Sequence, residues 1–250
     1  MLSRVDRAPI SRDHKTTLNP QLREIVRQPQ PTDWFYGTLL LDSPGGSVRE
    51  AFLLAQVVRD ALLETTTYRS SATNATTQHW PCVSACFLVW VAGTERSSMS
   101  GSNKKSGHFG LGLHRPFFEQ GAYGNSPAQV AEMQQTMTES VRAYLRREQV
   151  PELYVEKMLE RSSREVFWLH ESGDLFALNG RAPWFEEMMI ARCKFDPVYD
   201  REFQARDIRL TVQGKGGASE AERKTFFQWR QTYNTCEYEI RQQAQRSFRK

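Results

Sequence analysis

The chain contains a serine in a context that can support nucleophilic chemistry. Ser84 precedes an apolar, helix-like segment, where its own amide and the next have no intrahelical acceptor. A hydroxyl at a helix start can act as a nucleophile, and the free amides can stabilise an oxyanion as it develops. The alternative for Ser84 is an ordinary N-cap serine, which the same position also favours.

His114 is the candidate base for such a nucleophile. It ends a short strand that the sequence predicts over residues 108–114, and Arg115 and Pro116 follow it. A histidine can take a proton from a neighbouring hydroxyl and return it to a leaving group. A strand-end histidine can equally be structural or merely exposed, so His114 alone does not indicate catalysis.

A glycine pair supplies the third element of the candidate site. Gly45 and Gly46 follow an apolar strand predicted over residues 34–42 and precede a helix predicted over residues 48–62. Glycine permits positive φ angles and lets another backbone approach closely. Exposed amides in such a turn can hold an extended peptide or an anion, although many turns of this kind bind nothing.

The elements around these residues predict an α/β fold. A β-branched strand starts at Thr65, and a long amphipathic helix is predicted over residues 127–149, with Ser126 as its N-cap. A short helix over 151–159 and a strand over 166–169 follow. Strands that alternate with helices predict βαβ units and a mainly parallel sheet.

Taken together, these features resemble the Clp-protease-like members of the ClpP/crotonase fold. Residues 39–46 are similar to the strand and glycine turn of that family, and Ser84 stands nine residues before Gly93, as its nucleophile does. His114 resembles the family's strand-end His-x-Pro, and the helix from Ser126 resembles its handle helix. The resemblance covers roughly residues 34–180. It is strongest to bacterial, often periplasmic, Clp-like proteins with a Cys-x-Ser-Ala-Cys segment.

The resemblance implies an ATP-independent serine peptidase that needs no cofactor or metal. Ser84 would attack the peptide bond, and His114 would transfer the proton. The amides of Gly46 and Ala85 would form the oxyanion hole, and an extended peptide or protein substrate would lie along the turn at Gly45. The handle-type helix would form a homo-oligomer through residues 127–149, although its apolar face can equally belong to the core.

The third member of the implied triad is a carboxylate. The family has an Asp in an Arg-Asp pair after the handle, and the matching position here is Glu165 in the pair Arg164-Glu165. Asp174 is the alternative acid. A Ser–Lys dyad that uses Lys104 or Lys105 is a further option.

Two other functions are compatible with these residues. A protein with this fold that has lost its turnover would bind peptides or take part in assembly, and the lack of a carboxylate on His114 would favour that function. A crotonase-type acyl-CoA enzyme would use the same oxyanion turn without a Ser–His pair. The sequence contains no signal for its adenine pocket or its cleft acids.

Composition and charge limit the remaining possibilities. Hydrophobic residues make up 39% of the 250 residues and charged residues 25%, which predicts a folded protein. The net charge of +4 and a basic cluster at the end of the chain indicate a solvated helix end rather than a nucleic-acid interface. No apolar run is long enough to span a membrane.

The four cysteines predict no zinc site, because no histidine stands at ligand spacing from any cysteine pair. Cys82 and Cys86 are expected to be small buried residues. Cys193 and Cys236 are expected to form a disulfide if the compartment is oxidising.

The predicted organisation has three parts. Residues 1–33 form a polar arm, residues 34–193 the ClpP/crotonase-like domain, and residues 194–250 a C-terminal extension with a final helix from about 219. The arm is a poor version of the first strand and helix of that fold. We therefore expect the natural chain to begin upstream, with a first strand and a secretion signal. The protein would then be periplasmic or secreted, and otherwise cytoplasmic.

Overall fold

The computed structural model describes residues 37–67, 81–98, 101–103, 107–117, 126–162, 165–169 and 172–249. The predicted arm over 1–33 lies outside the described residues, as do Lys104, Lys105 and Arg164.

The described residues form nine strands and eight helices in an α/β arrangement. The strands are β1 (Thr38–Leu41), β2 (Glu64–Thr67), β3 (Cys82–Val83), β4 (Glu95–Ser97), β5 (Gly101–Asn103), β6 (Gly107–Phe109), β7 (Leu111–Leu113), β8 (Phe167–Trp168) and β9 (Gly180–Arg181). The helices are α1 (Val48–Asp60), α2 (Ala85–Trp90), α3 (Pro127–Arg147), α4 (Glu152–Glu160), α5 (Ser172–Leu178), α6 (Pro183–Cys193), α7 (Pro197–Val212) and α8 (Glu220–Arg249).

The strands are distributed over three small sheets. The largest has the order β1-β2-β4-β9, the second has the order β3-β7-β8, and β5 pairs with β6 alone. Pairing is parallel for β1 with β2, β2 with β4 and β3 with β7, and antiparallel for the other three described pairs. The α/β class is confirmed. The described sheets are mixed, however, rather than mainly parallel as the sequence predicted.

The strand predicted over 108–114 is interrupted at Gly110. This glycine has a φ of 103°, a conformation that L side chains rarely adopt, and it separates β6 from β7. β6 pairs with β5, and β5 lies in a segment that the sequence predicted as a loop. β7 pairs with β3 instead. His114 directly follows β7.

The main hydrophobic core surrounds α2. Every residue of this helix is buried, and Phe87, Leu88 and Trp90 are completely so. Two hydrogen bonds join α2 to its surroundings: the Tyr144 hydroxyl donates to the Leu88 carbonyl at 2.7 Å, and the Trp90 indole of α2 donates to the Ser97 carbonyl at 3.1 Å. Burial on all sides explains why α2 has no polar face.

The helix predicted over 127–149 is α3, and buried charge fixes its C-terminal end. Its N-terminus carries the predicted capping box of Ser126. At the other end the Glu148 carboxylate is completely buried, and Arg59 of α1 donates to both of its oxygens at 2.7 Å. Arg96 of β4 donates to the Glu148 carbonyl at 3.1 Å, and burial lowers the pKa of Arg96 to about 10. These contacts join α3 to a helix and a sheet.

The segment predicted as a C-terminal extension packs on the α/β core. The Arg241 side chain of α8 is only 1% exposed, and it donates to the Leu62 carbonyl at 2.7 Å and the Thr94 hydroxyl at 2.8 Å. Its charge is balanced by Glu237, which it contacts at 2.8 Å. A disulfide between Cys193 and Cys236 ties α6 to α8. The last helix is therefore a structural part of the core region.

Among the helices of the described residues, none combines the length and apolar character needed to cross a membrane.

We expect Arg241→Ala to destabilise the protein by about 3–5 kcal/mol, because it leaves Glu237 buried without its main counter-charge. Urea unfolding followed by circular dichroism measures the change. Arg246→Ala is the matched control, since Arg246 lies exposed on the same helix and should change stability by less than about 0.5 kcal/mol. Equal unfolding midpoints for the two variants would contradict the structural role of Arg241.

Candidate active site

The glycine turn is held by hydrogen bonds from both sides. β1 runs into it, and the Gly45 amide donates to the Ser43 hydroxyl at 3.2 Å. The Ser43 carbonyl accepts from the Val83 amide at 3.0 Å, which attaches the turn to the end of β3. Ser47 then caps α1 by accepting from the Glu50 amide. The turn is consequently fixed against the strand that leads to Ser84.

Parallel pairing of β3 with β7 brings the candidate nucleophile and base to one sheet edge. Val83 lies opposite Gly112, and the Ser84 amide donates to the Gly112 carbonyl at 2.9 Å. Ser84 and His114 therefore follow the carboxyl ends of two adjacent parallel strands. Ligands in α/β proteins commonly bind at this edge. Within the described residues, however, no direct hydrogen bond joins Ser84 to His114.

Ser84 has a backbone conformation that is unusual for a residue with a side chain. Its φ is 60° and its ψ is −123°, outside the regions that non-glycine residues commonly occupy. Such conformations cost on the order of 1–3 kcal/mol and cluster at functional sites. Although Ser84 precedes α2, its side chain makes no capping hydrogen bond, and N-cap residues normally have extended φ and ψ. The structure thus gives no support to a capping role.

Gly45 lies directly against Ser84. A Cβ atom on Gly45 would be 2.7 Å from the Ser84 Cβ, 3.3 Å from its Oγ and 2.9 Å from the Val83 carbonyl oxygen. The Gly45 φ of 112° also disfavours any side chain. Gly46 has a φ of 148° but open space around it. Close approach of the turn to the serine therefore requires glycine at position 45 in particular.

Cys82 and Cys86 form a disulfide that brackets Ser84. The sequence predicted two small buried residues here, and burial is nearly complete, with exposures of 0% and 5%. The prediction missed the bridge because Ser84 turns the chain sharply between strand and helix. The turn brings the two Cα atoms to 5.3 Å, within the range for a disulfide.

His114 is buried, with 8% exposure, and its Nδ1 lies 3.0 Å from the Arg115 carbonyl oxygen. A carbonyl oxygen can only accept, so this hydrogen bond requires a proton on Nδ1. The neutral ring then carries its lone pair on Nε2, the form a general base needs. The Phe117 ring lies 5.9 Å from the imidazole, and Gln134 of α3 donates to the Pro116 carbonyl. These contacts hold the segment after β7.

Neither predicted acid contacts His114 in the described part of the chain. Glu165 is exposed, and its carboxylate accepts from the Ser162 amide at 3.4 Å. Asp174 accepts from the Tyr154 hydroxyl at 2.9 Å. β8 begins only at Phe167, which pairs with Leu113, and before it the Glu165 amide donates to the Ser162 carbonyl at 3.2 Å in a turn.

The predicted oxyanion hole consists of backbone amides, those of Gly46 and Ala85. Ala85 is the first residue of α2, so its amide has no acceptor within the helix. No group of three or more metal-ligating side chains occurs in the described ranges. The contribution of the Arg115 carbonyl escaped sequence reasoning, because a backbone acceptor leaves no mark on residue type.

No protein-family model matches the chain. No curated protein and no solved structure matches it either. The likeness to Clp-protease-like proteins therefore remains a prediction from the sequence motifs.

Proposed function

We propose that the protein is a serine hydrolase, and specifically an ATP-independent peptidase with a ClpP/crotonase-like fold. The observation that carries this proposal is the backbone of Ser84: φ 60° and ψ −123°, without a capping hydrogen bond. A strained serine at a sharp strand-to-helix turn is typical of hydrolase nucleophiles, because the turn presents the hydroxyl at the sheet edge. The base His114 follows the adjacent strand.

In the proposed mechanism, Nε2 of His114 accepts the Ser84 proton as Oγ attacks the substrate carbonyl carbon. The tetrahedral oxyanion receives hydrogen bonds from the Gly46 and Ala85 amides. His114 then protonates the leaving amine, and the C–N bond breaks to give an acyl-enzyme. Water, activated by the same imidazole, hydrolyses the ester and restores Ser84.

The orienting group on His114 differs from that of a standard triad. The Arg115 carbonyl already holds the Nδ1 proton, which is the tautomer-fixing role that a carboxylate has in the triad. A carbonyl offers less charge stabilisation to the imidazolium than a carboxylate does. We therefore propose a Ser84–His114 pair oriented by the backbone, in which neither Glu165 nor Asp174 is needed to hold the imidazole.

The proposed substrate is an extended peptide or protein segment. β1 ends the order of the described four-stranded sheet and runs into the glycine turn, and its Leu40 is 50% exposed. A peptide can add to such an edge through backbone hydrogen bonds. Self-association through residues 127–149 is part of the same proposal, since the completely buried residues of α3 begin only at Val141.

Two disulfides support an oxidising compartment for this activity. Cys82–Cys86 and Cys193–Cys236 account for all four cysteines of the chain. Such bridges persist in secreted and periplasmic proteins and are rare in reducing compartments. We propose that the protein acts in the periplasm or outside the cell.

A second candidate function is a peptide-binding or assembly protein without turnover. The observations that favour it are the lack, within the described residues, of a hydrogen bond between Ser84 and His114 and of a carboxylate on His114. Catalytic hydrogen bonds are often long in proteins without substrate, so this geometry does not exclude catalysis. Labelling of the serine separates the two functions.

We expect a fluorophosphonate probe to label the purified protein and to fail with Ser84→Ala, because only an activated hydroxyl reacts with it. Labelled protein is read by gel fluorescence and the modified residue by mass spectrometry. Ser140→Ala, an exposed serine on α3, should label like wild type. Absence of label on folded wild type would favour the non-catalytic function.

We expect Glu165→Gln and Asp174→Asn to keep labelling within about threefold of wild type, since the Arg115 carbonyl already holds the imidazole. His114→Gln should reduce the labelling rate by about 100-fold or more, because general base catalysis is lost. Rates of probe modification measure both effects. A comparable loss in Glu165→Gln alone would identify Glu165 as the third member of a triad.

We expect Gly45→Ala to lower stability by about 1–3 kcal/mol and to reduce labelling, since its Cβ would displace Ser84. Urea unfolding and probe modification measure the two effects. Gly173→Ala is the control, because a Cβ there meets nothing within 4 Å. Unchanged labelling of Gly45→Ala would show that contact of the turn with Ser84 is not needed for reactivity.

A further inference from the structure

The disulfide beside the candidate nucleophile joins the two elements that Ser84 separates. Cys82 belongs to β3, and Cys86 is the second residue of α2. The bridge therefore closes a ring of five residues with the serine at its centre. No other disulfide among the described residues lies near the candidate site, since Cys193–Cys236 connects α6 with α8.

β3, which precedes Ser84, is held by hydrogen bonds to the neighbouring strand, whereas α2, which follows Ser84, is short. The Cys82 amide donates to the Gly110 carbonyl at 2.8 Å, and the Ser84 amide donates to the Gly112 carbonyl at 2.9 Å. Beyond Ser84, α2 has only six residues, and the Phe87 amide donates to the Ser84 carbonyl at 2.9 Å. A residue in a strained conformation persists only where its surroundings over-determine it.

We infer that the Cys82–Cys86 disulfide is a positioning device that holds Ser84 in its reactive conformation, an inference that rests on the hydrolase function proposed above. The bridge ties the start of α2 to the end of β3, so the backbone between them cannot relax by moving the helix away. Cys82 and Cys86 are then positioning residues for the nucleophile and touch neither substrate nor reacting atoms.

The lengths of the two disulfide-closed loops distinguish a role in positioning Ser84 from a role in stabilising the whole fold. The bonded residues are 4 positions apart in Cys82–Cys86 and 43 apart in Cys193–Cys236. A disulfide constrains the unfolded chain more when it closes a longer loop. The short bridge should therefore contribute less to global stability than the long one, and its main effect should be on local geometry.

Burial makes the bridge a permanent constraint rather than a reversible switch. Cys82 and Cys86 are 0% and 5% exposed in the folded protein. Thiol–disulfide exchange requires a thiolate to reach one of the sulfur atoms. Reduction of the bridge therefore needs prior opening of the fold, and the inference requires no physiological reductant.

The test compares two double variants, Cys82→Ala/Cys86→Ala and Cys193→Ala/Cys236→Ala. In the first, we expect fluorophosphonate modification to slow by about 10- to 100-fold, as displacement of a catalytic group by an ångström can do, with a small change in urea midpoint. In the second, we expect a larger drop in midpoint and an unchanged modification rate of the folded protein. Equal modification rates of wild type and a folded Cys82→Ala/Cys86→Ala would overturn the inference.

Folding of the first variant is checked by circular dichroism. If it does not fold, Cys82→Val/Cys86→Ala replaces it, because valine suits a buried strand position. Should this variant also remain unfolded, the bridge serves folding as a whole and the inference is overturned.

Failure of the hydrolase function is distinguishable from failure of this inference. If wild type itself is not labelled, the hydrolase proposal fails. The NMR chemical shifts of the backbone amides then test whether the disulfide holds Ser84 in its conformation. We then expect the Ser84 and Ala85 signals to move or broaden in Cys82→Ala/Cys86→Ala, while the Tyr233 signal in α8 stays in place. Unchanged Ser84 and Ala85 signals would overturn the inference.

Discussion

The geometry of the candidate site depends on hydrogen bonds that join three distant chain segments. The Val83 amide binds the Ser43 carbonyl at 3.0 Å, and the Ser84 amide binds the Gly112 carbonyl at 2.9 Å. These bonds bring the glycine turn, the serine and the strand of His114 to one sheet edge. The close approach of Gly45 to Ser84 accompanies these hydrogen bonds.

Buried charged side chains join the helices of the fold to one another and to the sheet region. Glu148 joins α3 to α1 through Arg59, and Arg241 joins α8 to the backbone at Leu62. Each charge is paired, because an isolated ion in a protein interior is very unfavourable. These ion pairs and hydrogen bonds join the ends of α3 and α8 to other elements of the fold.

The residues of the candidate site were predictable to different degrees. Ser84, His114 and Gly45 could be identified because a hydroxyl, an imidazole and a turn glycine have distinctive types at distinctive positions. The group that orients His114 could not, because the Arg115 carbonyl is a backbone atom. The acid motif indicated Glu165, yet the observed contact of its carboxylate is with the Ser162 amide. Residue type alone does not determine which partner a side chain meets.

By itself the sequence determined the local elements with strong periodicity or caps, such as α1 and the capping box at Ser126. It did not indicate α6 or α7, whose apolar residues are spread around the helix instead of along one face. Strand pairing, the Cys82–Cys86 bridge and the packing of α8 on the core were decided only by the tertiary structure. The physical reason is that these contacts join residues whose proximity depends on how the whole chain packs, whereas helix periodicity and capping are properties of neighbouring residues.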